Sequence, residues 1–180
     1  VYAGGMHVWQ CIEPSLKLFS AIQKEMPLAT LTILTGEQDN ARAMCDKLHL
    51  SNVTIKFVPL AELNEELTRY KYGFMLRDDI IVNNVATPTK FNSYLASGII
   101  PVVTYAVHDF RPVIDSSEYI VKLNHPEAVM EGVDIIRKFE SEEIDPQKVC
   151  NNFRNIFDSY YNVAAYQTKI KEMFTKIITE

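Results

Sequence analysis

The sequence has 180 residues, 47% hydrophobic and 23% charged, enough apolar content for one well-buried domain and too much for a disordered chain. Its net charge of −5 argues against a general nucleic-acid binder, which needs a basic face, and leaves phosphate ligands open, because a few placed cations and backbone amides suffice for those. No apolar run approaches the roughly 18 residues of a membrane span, and no signal-peptide pattern is present.

Strand and helix patterns alternate along the chain. Val1 to Ala3 reads as a short strand leading into Gly4-Gly5. Ile12, Leu16, Phe19, Ile22 and Met26 recur at helical spacing, and Pro27 closes that helix. Thr30 to Thr35 is an apolar, β-branched strand, followed by a helix from about Glu37 to Leu48. Val53 to Val58 is the next strand and Ala61 to Tyr70 the next helix. Gly73 to Leu76 is a buried strand that runs into a loop, Arg77 to Ala86. The segment Ala86 to Gly98 reads as a helix with Thr87 as N-cap, Pro88 in the first helical position and glycine at its end. A strand from Ile100 to Val103, a turn-rich stretch from Tyr105 to Ser117 and a strand from Tyr119 to Lys122 follow. Val129, Val133 and Ile136 mark another helix. Asp145-Pro146 starts a helical tail over 145–180, renewed at Asn162, where Tyr166, Ile170, Met173, Phe174 and Ile177 form a narrow stripe.

About six apolar strands alternating with helices predict an α/β fold, a Rossmann-like doubly wound parallel sheet with a C-terminal helical tail, in one domain over 1–180. Right-handed crossovers bring the strand C-terminal ends to one edge, where such sheets bind ligands. Four loops meet there: Gly4–Trp9, Thr35–Gln38, Val58–Ala61 and Arg77–Lys90. The chain opens in a strand with no initiator Met, which suggests the C-terminal part of something longer. Cys11, Cys45 and Cys150 lie far apart with no metal spacing, so reduced, mostly buried thiols in a cytoplasmic protein are expected.

The helix opening at Thr87 carries the chemistry. Its first amides lack intrahelical partners and can bind an anion. Lys90 in that first turn opposes the helix dipole, and a bound phosphate would explain it. Paired glycines after the first strand, Gly4 and Gly5, let a backbone approach a ligand, but neither G-x-G-x-x-G nor the Gly-Lys-Ser/Thr pattern is present. Arg77, at the end of a buried strand, either pairs with Asp78 or Asp79 or grips a diphosphate. Asn83 and Asn84 are placed to meet sugar hydroxyls or to form a turn. Of the four histidines only His7 falls in a ligand-edge loop, and none shows partner-carboxylate spacing.

The strings Gly4-Gly5 with Trp9-Gln10, Gly73-Phe74-Met75-Leu76-Arg77, Asn83 to Phe91, Tyr94-Leu95-Ala96-Ser97-Gly98 and Pro101-Val102 resemble the C-terminal, donor-binding half of GT-B glycosyltransferases, especially the family 4-like enzymes of bacterial polysaccharide synthesis. The likeness covers Val1 to Val103 by motif and the remainder by architecture. It implies a retaining, metal-independent hexosyltransferase with no cofactor, the nucleotide diphosphate sugar (a UDP- or GDP-sugar) being substrate. It also implies an acceptor glycan or lipid-linked sugar, and an N-terminal acceptor domain absent from this chain. A cytoplasmic location is implied, with any contact to the membrane's inner face made through the missing parts.

By the same resemblance, Lys90 and Arg77 stabilise the leaving diphosphate. Gly4, Gly5, His7, Gln10, Asn83, Asn84, Thr87, Thr89 and Ser93 hold the donor, and the Val58-Pro59-Leu60 turn borders the base. The stripe after Asn162 resembles the tail helix that crosses to the acceptor domain. The family carries two glutamates eight positions apart where this chain has Val85 and Ser93. That departure opens an alternative, a non-catalytic nucleotide-sugar binding module. A nucleotide-sugar 2-epimerase is a more distant alternative.

Overall fold

The computed structural model describes residues 1–179. Strands β1 (Tyr2–Ala3), β2 (Leu31–Leu34) and β3 (Val53–Lys56) form one parallel ladder, with Tyr2 opposite Ile33 and Ile33 opposite Ile55. Strands β4 (Tyr72–Met75), β5 (Ile100–Thr104) and β6 (Val121–Leu123) form a second, with Phe74 opposite Val102 and Val102 opposite Val121. The two ladders meet at Val1. Its nitrogen donates to Tyr72 O at 2.6 Å, and its carbonyl accepts the Phe74 N–H at 2.9 Å. The strand order across the join is 3-2-1-4-5-6, and the order reverses between β1 and β4. Ligands of open α/β sheets bind outside the strand C-termini at that reversal.

Helix α1 (Ile12–Glu25) buries Ile12, Leu16, Phe19 and Ile22 and packs on α7 (Val129–Ser141). Helix α2 (Gln38–Lys47) rests against β3. Helix α3 (Leu60–Leu67) contacts α5 (Thr89–Ala96). Against α5 and α6 (Arg111–Ser116) packs α8 (Pro146–Tyr160), which buries Val149, Phe153 and Ile156. The Asp145 side chain caps α8 by accepting the Gln147 N–H at 2.9 Å. Pro101 sits inside β5 without breaking it. Ile100 N–H faces β4, donating to Lys71 O, so Pro101 faces the β6 side, where pairing begins only at Val102.

Several boundaries differ from the sequence expectation. The loop after β4 contains one helical turn, α4 (Ile81–Asn84). The turn-rich stretch 105–117 folds into a 3-10 turn, His108–Phe110, and α6, because Phe110, Val113 and Ile114 have core to bury into. The last strand starts two residues later than expected and ends one later, in the register that pairs Val121 with Val102 of β5. Helix α5 starts at Thr89, because Pro88 keeps an extended ψ of 113° and takes the cap position itself. Helix α9 (Val163–Thr179) leaves Tyr166, Ile170, Met173, Phe174 and Ile177 exposed. Cys11 and Cys45 are buried and Cys150 is exposed, all as free thiols. No helix among the described residues is long and apolar enough to cross a membrane.

Candidate functional site

A cavity of about 530 Å³ opens at the C-terminal ends of β1 to β4. Its floor is Ala3-Gly4-Gly5 after β1. One wall is Leu34 to Glu37 after β2, a second is Phe57, Val58, Leu60 and Leu63 around the start of α3, and a third is the first turns of α5 with Arg77 behind them. The four loops expected at the ligand edge do meet there.

Lys90 is half-buried and lies flat over the loop. Its Nζ donates to Gln10 Oε1 at 3.0 Å and sits 4.4 Å from the centroid of the Tyr2 ring. Burial, followed by the nearby Arg77 charge, pushes its pKa down to about 7. Gly4 makes this packing possible. Its φ is +148°, and a Cβ there would stand 2.7 Å from both Gln10 Oε1 and Lys90 Nζ.

Arg77 is 5% exposed. Its Nη1 donates to Gln10 O at 3.0 Å and Leu76 O at 2.9 Å. Thr104 Oγ1 accepts the Arg77 N–H at 2.9 Å and donates to Arg77 O at 2.6 Å, which fixes the backbone. Burial lowers the guanidinium pKa from its ordinary value. Among the described residues no ion pair engages Arg77 or Lys90, so the pairing of Arg77 with Asp78 or Asp79 is not formed. Two adjacent cations without a carboxylate, one buried and one half-buried, are costly unless an anion joins them. The amides of Gly5, Thr89 and Lys90 have no protein acceptor among the described hydrogen bonds and open the same cavity to an anion.

The remaining expected residues divide. Gln10, Thr89 and Ser93 line the cavity, and Ser93 donates its hydroxyl to Thr89 O at 3.3 Å. Thr87 does not line it. With the helix starting one residue later than expected, the Thr87 hydroxyl donates to Asp109 Oδ2 at 3.1 Å. Asn83 is buried and donates to Asp78 O at 3.0 Å, which folds the 77–86 loop; neither it nor Asn84 lines the cavity. His7 stacks on Trp9, ring centroids 4.3 Å apart, and stays outside. Pro59 caps α3 and is exposed, while Phe57, Val58 and Leu60 form that wall instead. Val85 is exposed and also outside.

Sequence reasoning missed three contributors. Tyr94 is buried at the back of the cavity, accepting the Ala3 N–H at 3.1 Å and donating to Phe74 O at 3.3 Å, so it ties α5 to β1 and β4. Its spacing four residues after Lys90 places both on one helix face, a signal the sequence carries. The Tyr2 hydroxyl donates to Gly5 O at 2.7 Å under the loop. Glu37, after Gly36, reaches across to the same loop. Neither contact has a local sequence signal.

A second cavity, about 460 Å³, lies at the opposite edge of the sheet, among Val1, Phe19, Ile22, Tyr72 and Phe74. The cations bordering it are both spent, Lys71 on Glu140 at 2.6 Å and Arg69 on Glu66 at 3.5 Å. Of these two cavities, the first is the one whose lining cations have no carboxylate partner among the described ion pairs.

No protein-family model and no curated protein sequence matches the chain. Solved structures do. The GtfA/B complex superposes with a TM-score of 0.72 at 16% identity, over 94% of this chain and 35% of that one. The C-terminal domain of a glycosyl transferase group 1 family protein (LpcC) from Francisella tularensis gives 0.62 at 14%, over 90% and 85%. A UDP-forming α,α-trehalose-phosphate synthase from Burkholderia xenovorans gives 0.64 at 7%, over 95% and 42%. The chain spans well under half the length of the first and third of these. Likeness at such identities establishes the fold, and this chain folds as the Rossmann-like half of the GT-B glycosyltransferases.

Proposed function

We propose that this chain is the donor-binding half of a glycosyltransferase that takes a hexose from a UDP- or GDP-sugar, with the diphosphate held between Lys90, Arg77 and the Gly4-Gly5 loop. The observation that carries the reading is the unpaired Lys90–Arg77 couple beside free amides at the point where strand order reverses. As the glycosidic bond breaks, charge builds on the leaving phosphate. Fixed cations and amides already in place there stabilise that charge more than they stabilise the ground state. Phe57, Val58 and Leu60 offer an apolar wall for a base. The structures this fold resembles support the nucleotide: one is described as UDP-forming.

The acceptor, a polysaccharide or lipid-linked sugar, would be bound by a second domain. The chain's 35% and 42% share of its two-domain-length neighbours supports that reading, and so does the exposed α9 stripe, as a surface to lie against the second domain. Membership of family 4, retention of configuration, independence from metal and a cytoplasmic place in polysaccharide synthesis belong to the same proposal. A binding module without transfer is the second reading. It is favoured by the absence of a carboxylate on the α5 side, where Ser93 lines the cavity and Val85 lies outside it.

Calorimetric titration with UDP, GDP, UDP-glucose and GDP-mannose tests the site. Saturable binding of one diphosphate series is expected, weaker for the matching monophosphate. Absence of binding to all four would sink the proposal. Transfer of labelled hexose by the full-length protein separates enzyme from binding module.

A further inference from the structure

Glu37 is the one carboxylate among the residues lining the cavity, yet it pairs with neither cation there. Its Oε1 accepts the Met6 backbone N–H at 2.9 Å, and its Oε2 accepts from Asn40 Nδ2 at 3.2 Å. The backbone that carries this carboxylate is itself held in place, because the Glu37 N–H donates to Thr35 Oγ1 at 3.1 Å at the end of β2. The Met6 bond holds its pKa below the usual carboxylate range, so the acceptor stays charged at neutral pH. The fit to the loop is close. A Cβ on Gly5 would lie 3.1 Å from Glu37 Oε1. On the loop's other side the Tyr2 hydroxyl donates to Gly5 O at 2.7 Å. The peptide between Gly5 and Met6 is thus held at both ends, its carbonyl by Tyr2 and its N–H by Glu37. Of the Gly4, Gly5 and Met6 amides, that of Gly5 is the one left without a protein acceptor among the described hydrogen bonds.

We infer that Glu37 is a positioning residue, a latch from β2 that fixes the Gly4-Gly5-Met6 loop so that the Gly5 amide meets the donor diphosphate. This rests on the nucleotide reading above. A latch of this kind acts on the phosphate part of the ligand and leaves the nucleoside part alone, because it sets the loop and not the Phe57–Leu60 wall. Preorganised donors contribute more than mobile ones because no ordering cost is met on binding.

The test uses the chain itself, with ¹⁵N spectra, UDP and uridine as probes, and Glu37→Ala and Glu37→Gln as variants. Glu37→Ala should weaken UDP binding about tenfold, the loss of roughly one charge-assisted hydrogen bond. Uridine binding should be unchanged, and hydrogen exchange of the Met6 amide should accelerate. Glu37→Gln keeps a carbonyl acceptor for Met6 and should recover most of the UDP affinity. Unchanged or tighter UDP binding by Glu37→Ala overturns the inference, as does an equal loss for uridine or a failure of Glu37→Gln to rescue. Thermal melting identifies a variant that has simply unfolded, in which case Glu37→Asp, too short to reach Met6, replaces it and must show the same split. If the unsubstituted chain binds neither UDP nor uridine, GDP and guanosine take their place; if it binds none of the four, the nucleotide reading fails, and Met6 exchange alone decides: faster exchange in Glu37→Ala supports the latch and unchanged exchange overturns it.

Discussion

Lys90→Met should weaken UDP binding about a hundredfold without lowering the domain's melting temperature. A charge-assisted hydrogen bond from a desolvated ammonium to a phosphate sits at the upper end of its class, about 3 kcal/mol, and each 1.4 kcal/mol is tenfold. Stability moves the other way. Burial and the Arg77 charge push the Lys90 pKa down to about 7, whereas an unfolded lysine titrates at about 10.4. Between those values the unfolded chain binds more protons than the folded one, so stability rises with pH from about 7 to about 10. Methionine keeps the stem packed over Tyr2, removes the charge and should flatten that rise. The same shift gives binding a proton signature. A diphosphate favours the ammonium, so UDP binding at pH 8 should take up a proton, read as a dependence of calorimetric heat on buffer ionisation enthalpy. If the Lys90→Met variant bound UDP as tightly as the unsubstituted chain, Lys90 would not belong to the site; binding with no proton uptake would show that Lys90 is already charged before the ligand arrives.

Gly73→Ala should be the most damaging small substitution in the sheet. A Cβ at Gly73 would lie 2.6 Å from two ring carbons of Tyr94. That ring cannot swing aside, because its hydroxyl is bonded to Ala3 N and Phe74 O and its surroundings are fully buried. Overpacking of this kind costs about 3 kcal/mol. For a domain of this size the melting temperature should fall by roughly 6–12 °C. Relief requires α5 to move off β4, which carries Lys90 away from Gln10, so nucleotide affinity should fall with stability. Gly36→Ala is the control: its added methyl meets nothing within 4 Å, and melting should be nearly unchanged. Equal behaviour of the two alanine variants would show that Tyr94 is not the fixed post between α5 and the sheet.

The architecture was legible because its signals are periodic. Apolar β-branched runs gave the strands, and i, i+3, i+4 spacing gave α1, α7 and the α9 stripe. Boundaries failed where one residue type had two uses. Pro88 suits either the cap or the first turn, and only the backbone showed it extended. With the start displaced, Thr87 found Asp109 as partner, which lies 22 residues further on. Lys90, Gln10 and Gly4 were readable as ligand-edge residues from their places in the first loop and the first turn of α5, and the structure brings them to one cavity. Asn83 was not distinguishable from a sugar-binding amide, since it lies in the same loop and only its bond to Asp78 O marks it as a loop-former. Glu37 and Tyr2 escaped for a related reason: their partners, Met6 and Gly5, are backbone groups chosen by register and not by sequence pattern.

The central claim is that a nucleotide diphosphate sits where the strand order reverses. Titration of the ¹⁵N-labelled chain with UDP tests it most directly. The amides of Gly5, Thr89 and Lys90 should shift together along one saturable curve, while Phe19, Ile22 and Phe74 at the opposite cavity stay still. Shifts confined to those last three residues, or no shift at Gly5 and Lys90 when binding saturates, would contradict it.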